Sequence, residues 1–364
     1  MRVVLNIGKK TAMRTTRIHS MIAAVAVIGL GLAACGSNEG DSSATEVGEQ
    51  VDASDSDAEL PTIVVTTNVL GDVVDQVVGD SAEVITIMPV GTDPHDFQAS
   101  AQEVDAMNNA DALIVNGAAF EEGLLDVIEG AEGEGVPTFE AISAVETIEF
   151  GDGGHEEHGD EDHDEDADHD EDEDHDEDDE HGDEEHSGVD PHFFTDPMRM
   201  ATAVDGMVDF LQTEVAFADP AAVEVSADAY IAELTSLDGE VASLVDSIPE
   251  ERRVLVTNHE VFGYFADRYG FEVVGAVIPS GSTTDGASAR ELAELAEQIE
   301  DTGVPAIFGD TSSSDDLVNA LADEVGDVAV IELYSESLGE PGSAGGSYLE
   351  MVRANAERMS AALA

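Results

Sequence analysis

Residues 219–248 read DPAAVEVSADAYIAELTSLDGEVASLVDSI, and this stretch decides the architecture. Asp219-Pro220 sets a side-chain acceptor just before a proline. The carboxylate caps a free N–H of the first helical turn, where proline needs no donor of its own. Tyr230, Leu234, Leu237, Val241 and Leu244 then recur at three- or four-residue steps and form one apolar face. A helix of about 30 residues is ~45 Å long, enough to run along two domains rather than cap one.

On either side of this helix, short β-branched or apolar runs alternate with helical patterns. Before it, strands are expected at Thr62 to Thr66, Glu83 to Met88, Ala112 to Val115 and Pro137 to Glu140. Helices are expected at Val69 to Val78, Ala99 to Ala110 and Phe120 to Ile128, and another opens at Asp196-Pro197 and runs to about Val215. After it, strands at Arg253 to Thr257, Glu272 to Ile278, Pro305 to Phe308 and Val328 to Leu333 alternate with helices at His259 to Tyr269, Ala287 to Asp301 and Ser314 to Val325, before a terminal helix from Tyr348 to Leu363. Such alternation implies parallel βα units. The fold class expected is α/β, with two lobes of parallel sheet joined by one long helix. The divisions are residues 61–218 for the first lobe, 219–248 for the linking helix and 249–364 for the second lobe.

The first 17 residues carry Arg2, Lys9, Lys10, Arg14 and Arg17 and no acid, and the apolar run Met21 to Ala34 follows. Its 14 residues fall short of the ~20 that span a bilayer, and it ends in small residues, as a secretory signal does (residues 1–34). The ending Leu32-Ala33-Ala34-Cys35 resembles the lipobox of bacterial lipoproteins. That resemblance implies acylation of Cys35 and a chain anchored on the outer face of the cytoplasmic membrane. Cys35 is the only cysteine, so no intrachain disulfide forms. Residues 35–60, rich in Ser, Gly, Asp and Glu, bury too little apolar surface to fold and are expected to be a tether.

All 83 acidic residues follow Cys35, against seven arginines and no lysine there, so the remainder carries a formal charge near −76. This excludes nucleic acid and anionic lipid as natural partners and favours cations. The absence of tryptophan argues against a sugar cleft built from stacking platforms. One segment, residues 151–186, holds 23 acids and seven histidines (His155, His158, His163, His169, His175, His181 and His186) with no basic residue. It has no route to a packed core and is expected to be a disordered surface loop. Its imidazoles, interleaved with carboxylates, are expected to bind several zinc ions weakly.

Apart from His19 in the leader, three histidines remain: His95 in Thr92-Asp93-Pro94-His95, His192 in Asp190-Pro191-His192-Phe193, and His259 in Thr257-Asn258-His259-Glu260. In parallel α/β domains ligands bind beyond the carboxyl ends of strands. His95 follows the second strand and His259 the first strand of the second half, while His192 lies beyond the loop closing the first half. All three are placed to face one cleft. Imidazole is the commonest zinc ligand.

The chain resembles the zinc/manganese substrate-binding lipoproteins of bacterial ABC importers, solute-binding family 9, over about Pro61 to Ala364. Four motifs carry the resemblance: Met88-Pro89-Val90-Gly91-Thr92-Asp93-Pro94-His95; Asp190-Pro191-His192-Phe193-Phe194-Thr195-Asp196-Pro197; His259-Glu260-Val261-Phe262-Gly263-Tyr264-Phe265 with Arg268-Tyr269-Gly270; and Leu333-Tyr334-Ser335-Glu336-Ser337-Leu338-Gly339 with Tyr348 and Asn355. The acidic His-rich segment also stands where zinc-type members carry theirs. The resemblance implies a metal site in the interdomain cleft, with His95, His192, His259 and Glu336 as ligands. Glu336 departs from the aspartate of many members. Asp310, where many members have glutamate, is a residue supporting the site or the rival fourth ligand.

Three nitrogens and a carboxylate suit four-coordinate Zn²⁺, whereas Mn²⁺ prefers harder oxygen ligands. Zinc is therefore the expected cargo, ahead of manganese. The resemblance further implies an ABC permease as partner and a non-enzymatic role, with a zinc chaperone as a further partner and a monomeric chain. Two rivals differ in class. One is a zinc-buffering or adhesive surface lipoprotein. The other is a secreted zinc hydrolase, which would need an open coordination position and a general base.

Overall fold

Strand side chains sort by parity onto two faces. Ile63 and Val65 enter the same apolar cluster as Ala112 and Ile114, while Val64, Leu113 and Val115 enter a second cluster on the opposite face. The later strands repeat the pattern: Leu255, Ala306 and Phe308 join the first cluster, and Val256 and Ile307 join a third. Burial on both faces explains why these strands read as continuous apolar runs rather than as alternation.

The computed structural model describes residues 60–150, 188–326 and 328–364. The first lobe runs β1 (Thr62–Val65), α1 (Asn68–Val78), β2 (Glu83–Thr86), α2 (Ala101–Asn108), β3 (Ala112–Val115), α3 (Leu125–Glu134), β4 (Thr138–Glu140) and α4 (Pro197–Glu214). Helix α5 (Pro220–Val245) follows. The second lobe runs β5 (Val254–Thr257), α6 (Gly263–Tyr269), β6 (Glu272–Ala276), α7 (Ala289–Thr302), β7 (Ala306–Asp310), α8 (Asp316–Val325), β8 (Ala329–Leu333) and α9 (Tyr348–Leu363). The two sheets have the orders β2-β1-β3-β4 and β6-β5-β7-β8, with every strand pairing parallel. In each, chain order reverses direction at the first strand. This creates a crevice at the carboxyl ends beside β1 and β5.

Both Asp-Pro pairs cap as read. Asp196 Oδ1 accepts from the Met198 amide at 2.7 Å and Asp219 Oδ1 from the Ala222 amide at 3.3 Å, each with proline in the first turn. Helix α5 buries Val223, Ala227, Tyr230, Leu234, Leu237, Val241 and Val245. That face packs on α1 and α4 of the first lobe and on α9 of the second, so one apolar cluster runs from Ile63 to Leu363 through both lobes. Among the described residues no helix is long and apolar enough to cross a membrane.

Two expected helices begin a full turn or more later than expected. The one expected from His259 starts at Gly263, because residues 257–260 spend their backbone groups on the neighbouring segment: Thr257 O and Asn258 O accept from Val277 and Ile278, and the Glu260 amide donates to Ser280 O. The one expected from Phe120 starts at Leu125 and runs to Glu134. Ahead of it, Glu121 holds φ −86° and ψ 61°, outside the helical region, and Glu122–Leu124 form a short 3-10 turn.

Leu237 is 1 % exposed at the centre of the shared cluster. Leu237→Ala is expected to lower unfolding stability by about 2–5 kcal/mol. Because the core is continuous, denaturant unfolding followed by fluorescence and circular dichroism should still show one transition rather than two.

Candidate metal centre

The three isolated histidines and Glu336 arrive at one buried point from four different loops. One ligating atom from each of His95, His192, His259 and Glu336 lies within 4.8 Å of all the others, and none of these residues is more than 4 % exposed. Glu336 Oε1 is the common neighbour: 2.7 Å from His95 Nε2 and 3.2 Å from both His192 Nε2 and His259 Nε2. The three imidazole rings stand edge to face, with centroids 5.5–6.0 Å apart. Phe120 closes one side, 5.1 Å from the His95 ring and 5.5 Å from the His192 ring. In a tetrahedral zinc site with bonds near 2.0–2.1 Å, donors sit roughly 3.3 Å apart. The three distances from Glu336 Oε1, 2.7–3.2 Å, lie at or below that value, and the remaining donor pairs lie within 4.8 Å.

The same local device presents two of the histidines. In Asp93-Pro94-His95 the aspartate Oδ1 accepts from the histidine amide at 2.9 Å, and in Asp190-Pro191-His192 the corresponding bond is also 2.9 Å. The far ring nitrogens are held differently. His192 Nδ1 pairs with Asp190 Oδ1 at 2.8 Å, and His95 Nδ1 with Glu122 Oε1 at 3.1 Å. Donation from Nδ1 leaves Nε2 as the basic nitrogen turned to the shared centre. His259 is held by its backbone, since its carbonyl accepts from Thr257 Oγ1 at 2.7 Å. Neither of its ring nitrogens makes a hydrogen bond; Nε2 is near Glu336 Oε1 but not aligned with it. Glu336 Oε2 is likewise free of hydrogen bonds.

The carboxylate and the imidazoles shift one another. Burial alone lowers the His192 imidazole, but Asp190 and Glu336 reverse this and carry it up to about 9. Burial also opposes charge on His95, and Glu336 outweighs it, so the net shift is upward. Burial would raise Glu336; the imidazoles of His259, His95 and His192 instead hold it well below the usual carboxylate range.

Asp310 does not join the four converging residues. It ends β7 beside the strand leading to His259, in register through the pair Thr257 and Phe308. Its Oδ1 accepts from the Ser312 amide and hydroxyl, both at 2.8 Å. Its Oδ2 is buried without a partner, and burial followed by the Glu336 charge raises its pKa. Cys35 and the seven histidines of residues 155–186 lie outside the described residues. The flanks of that acidic segment meet in a bridge between Glu149 and Val189, and Phe150 and Val189 line a cavity of about 280 Å³ that reaches His95.

The sequence reading missed Asp190 and Glu122 as partners of the ligating rings. The doubled Asp-Pro-His tripeptide was the available signal for Asp190. Tyr264 was also missed: its hydroxyl donates to the Asp190 carbonyl at 2.6 Å, tying α6 to the His192 loop. A Cβ on the preceding Gly263 would lie 2.5 Å from Asp190 Oδ2, so glycine is required for this approach.

A family model described as ZnuA, zinc-uptake complex component A, periplasmic, matches residues 63–362, and the chain belongs to that family. The zinc-binding protein TroA of Treponema pallidum is 30 % identical over 312 residues, covering 84 % of this chain and 89 % of TroA. The manganese-binding lipoprotein MntA of Halalkalibacterium halodurans is 24 % identical over 342 residues, covering 92 % of this chain and 94 % of MntA. The solved structure of the periplasmic zinc-binding protein TroA superposes with a TM-score of 0.70 at 29 % identity, over 84 % of this chain and 99 % of that one. The two-lobed parallel α/β fold is thus the one expected from sequence.

With His192 raised to about 9, two pH effects follow. In the metal-free protein its stabilising contribution is full below the unfolded histidine value of ~6.5 and is lost as pH rises through about 9. A cation at Nε2 must displace this proton, so affinity is expected to fall about tenfold per pH unit for each proton displaced below that value. Calorimetric titration with zinc in buffers of different ionisation enthalpy reads the proton count; at least one proton should be released at pH 7.5.

Proposed function

We propose that this chain captures Zn²⁺ outside the cytoplasm and delivers it to an ABC permease. The observation that carries the reading is the buried convergence of three imidazole nitrogens on one carboxylate oxygen. Zn²⁺ is the transported cargo, held by His95, His192, His259 and Glu336, with Asp310 alongside His259. Family membership supports a metal-uptake substrate-binding component, and relatives carry names for both zinc and manganese. The nitrogen-rich donor set favours zinc, because manganese ranks below zinc in affinity at such sites and prefers oxygen donors. Glu336 fills the fourth position, where a hydrolase would keep water, so a binding role is favoured over catalysis.

Cys35 is proposed as the lipid-bearing residue that keeps the chain, acting as a monomer, on the outer face of the cytoplasmic membrane. Residues 151–186 are proposed to collect zinc weakly, to accept it from a chaperone or to sense its excess. Capture starts with a hydrated ion that exchanges its water for the three imidazoles and Glu336. Phe120 and the neighbouring side chains then exclude solvent.

Competition titration against a chromophoric chelator tests the reading. Zn²⁺ should bind at least about 100-fold more tightly than Mn²⁺, and His95→Ala, His192→Ala and His259→Ala should each weaken it sharply. Wild-type affinity in all three variants, or tighter Mn²⁺ binding, would overturn the assignment. Slowed growth of a deletion strain under zinc limitation separates delivery from buffering, for which growth would be unchanged.

A further inference from the structure

We infer that Asn68 is a positioning residue for the metal centre: from the first lobe it locks the loop carrying Glu336 to the loop carrying His95. This inference rests on the four-ligand reading above and adds a residue that touches no ligand atom.

Asn68 opens α1 and is 6 % exposed. Its Nδ2 donates to the Pro89 carbonyl at 3.1 Å and to Ser337 Oγ at 3.0 Å, and its Oδ1 accepts from the Leu338 amide at 2.7 Å. These bonds fix which way the amide faces. A flipped Asn68 would set its oxygen against the Pro89 carbonyl and its NH₂ against the Leu338 N–H, two acceptor or donor clashes. Ser337 is fully buried, and its Oγ also accepts from the Gly91 amide at 2.7 Å.

The network closes a circuit. Pro89 and Gly91 belong to one turn, in which the Thr92 amide donates to the Pro89 carbonyl at 3.2 Å and Gly91 takes φ +78°, a left-handed value suited to glycine. That turn leads directly into Asp93-Pro94-His95. Ser337 and Leu338 directly follow Glu336. Asn68 therefore clamps both loops within a few residues of their ligands, and the ligands themselves meet at 2.7 Å between His95 Nε2 and Glu336 Oε1. The partners of Asn68 in the second lobe lie 269 and 270 residues away in sequence. Without the amide, the Leu338 N–H loses its acceptor and Ser337 loses a donor in a buried place. Ser337 Oγ keeps the Gly91 amide, but the buried Leu338 N–H regains a partner by a shift of the loop, and Glu336 moves with it.

A double-mutant cycle on the full chain, with Zn²⁺ affinity read by chelator competition, tests this. Asn68→Ala is expected to weaken Zn²⁺ binding about 10–100-fold, but less than about twofold in a Glu336→Ala background, because the effect passes through that carboxylate. The zinc K-edge spectrum of Asn68→Ala should lose oxygen-ligand scattering and approach that of Glu336→Ala, a change that general loosening of the fold would not produce. Should Asn68→Ala fail to fold by circular dichroism, Ser337→Ala takes its place in the cycle with the same expected non-additivity. A loss below about twofold in the otherwise wild-type chain, or equal losses in both backgrounds, overturns the role of Asn68. His192→Ala separates the two claims: undiminished affinity there sinks the metal centre itself, whereas a weakened His192→Ala beside an unchanged Asn68→Ala sinks only the clamp.

Discussion

One carboxylate oxygen, Glu336 Oε1, stands within 3.2 Å of three buried imidazole nitrogens, and most of the structure serves that meeting. A buried carboxylate is costly unless positive charge or strong donors surround it. Here the imidazoles supply both, and they lower its pKa while Glu336 raises His95 and His192. The same side chains present three nitrogens and an oxygen within 4.8 Å of one another. A divalent ion placed among them would displace protons held on the imidazoles.

Such a meeting needs loops from two lobes held in fixed relation, and the fold supplies this in two ways. The parallel sheets deliver His259 and Glu336 just past the carboxyl ends of β5 and β8, and His95 on the loop that follows β2, where backbone direction and crossover geometry leave a crevice. Helix α5 then lays one apolar face along α1, α4 and α9, so the lobes share a core rather than a flexible joint. Polar ties complete the arrangement near the site: Tyr264 to the Asp190 carbonyl, Thr283 Oγ1 to Asp93 Oδ2 at 2.6 Å, and Asn68 to the Ser337 loop.

Much of this was legible in the chain. The Asp-Pro caps, the apolar spacing of Tyr230, Leu234, Leu237 and Val241 and the β-branched strands follow local rules, so fold class and element order could be read directly. The four converging residues emerged from isolated histidines at strand ends, together with the family motifs. What local rules could not supply were contacts set by tertiary neighbours. The onset of α6 at Gly263 depends on residues 257–260 pairing with the 277–280 segment. The roles of Glu122 and Asn68 depend on partners 27 and about 270 residues distant. The doubled Asp-Pro-His tripeptide lies between these cases: the motif is visible, but only the coordinates show that Asp190 reaches the ring as well as the amide while Asp93 does not.

On this reading a single ion is shared by imidazoles of both lobes and the late glutamate. An anomalous difference map at the zinc edge, from crystals of the zinc-loaded chain, tests it most directly. A peak is expected within about 2.0–2.2 Å of Nε2 of His95, His192 and His259 and of a Glu336 carboxylate oxygen. A strongest peak elsewhere, or one ligated by Asp310 in place of Glu336, would contradict it.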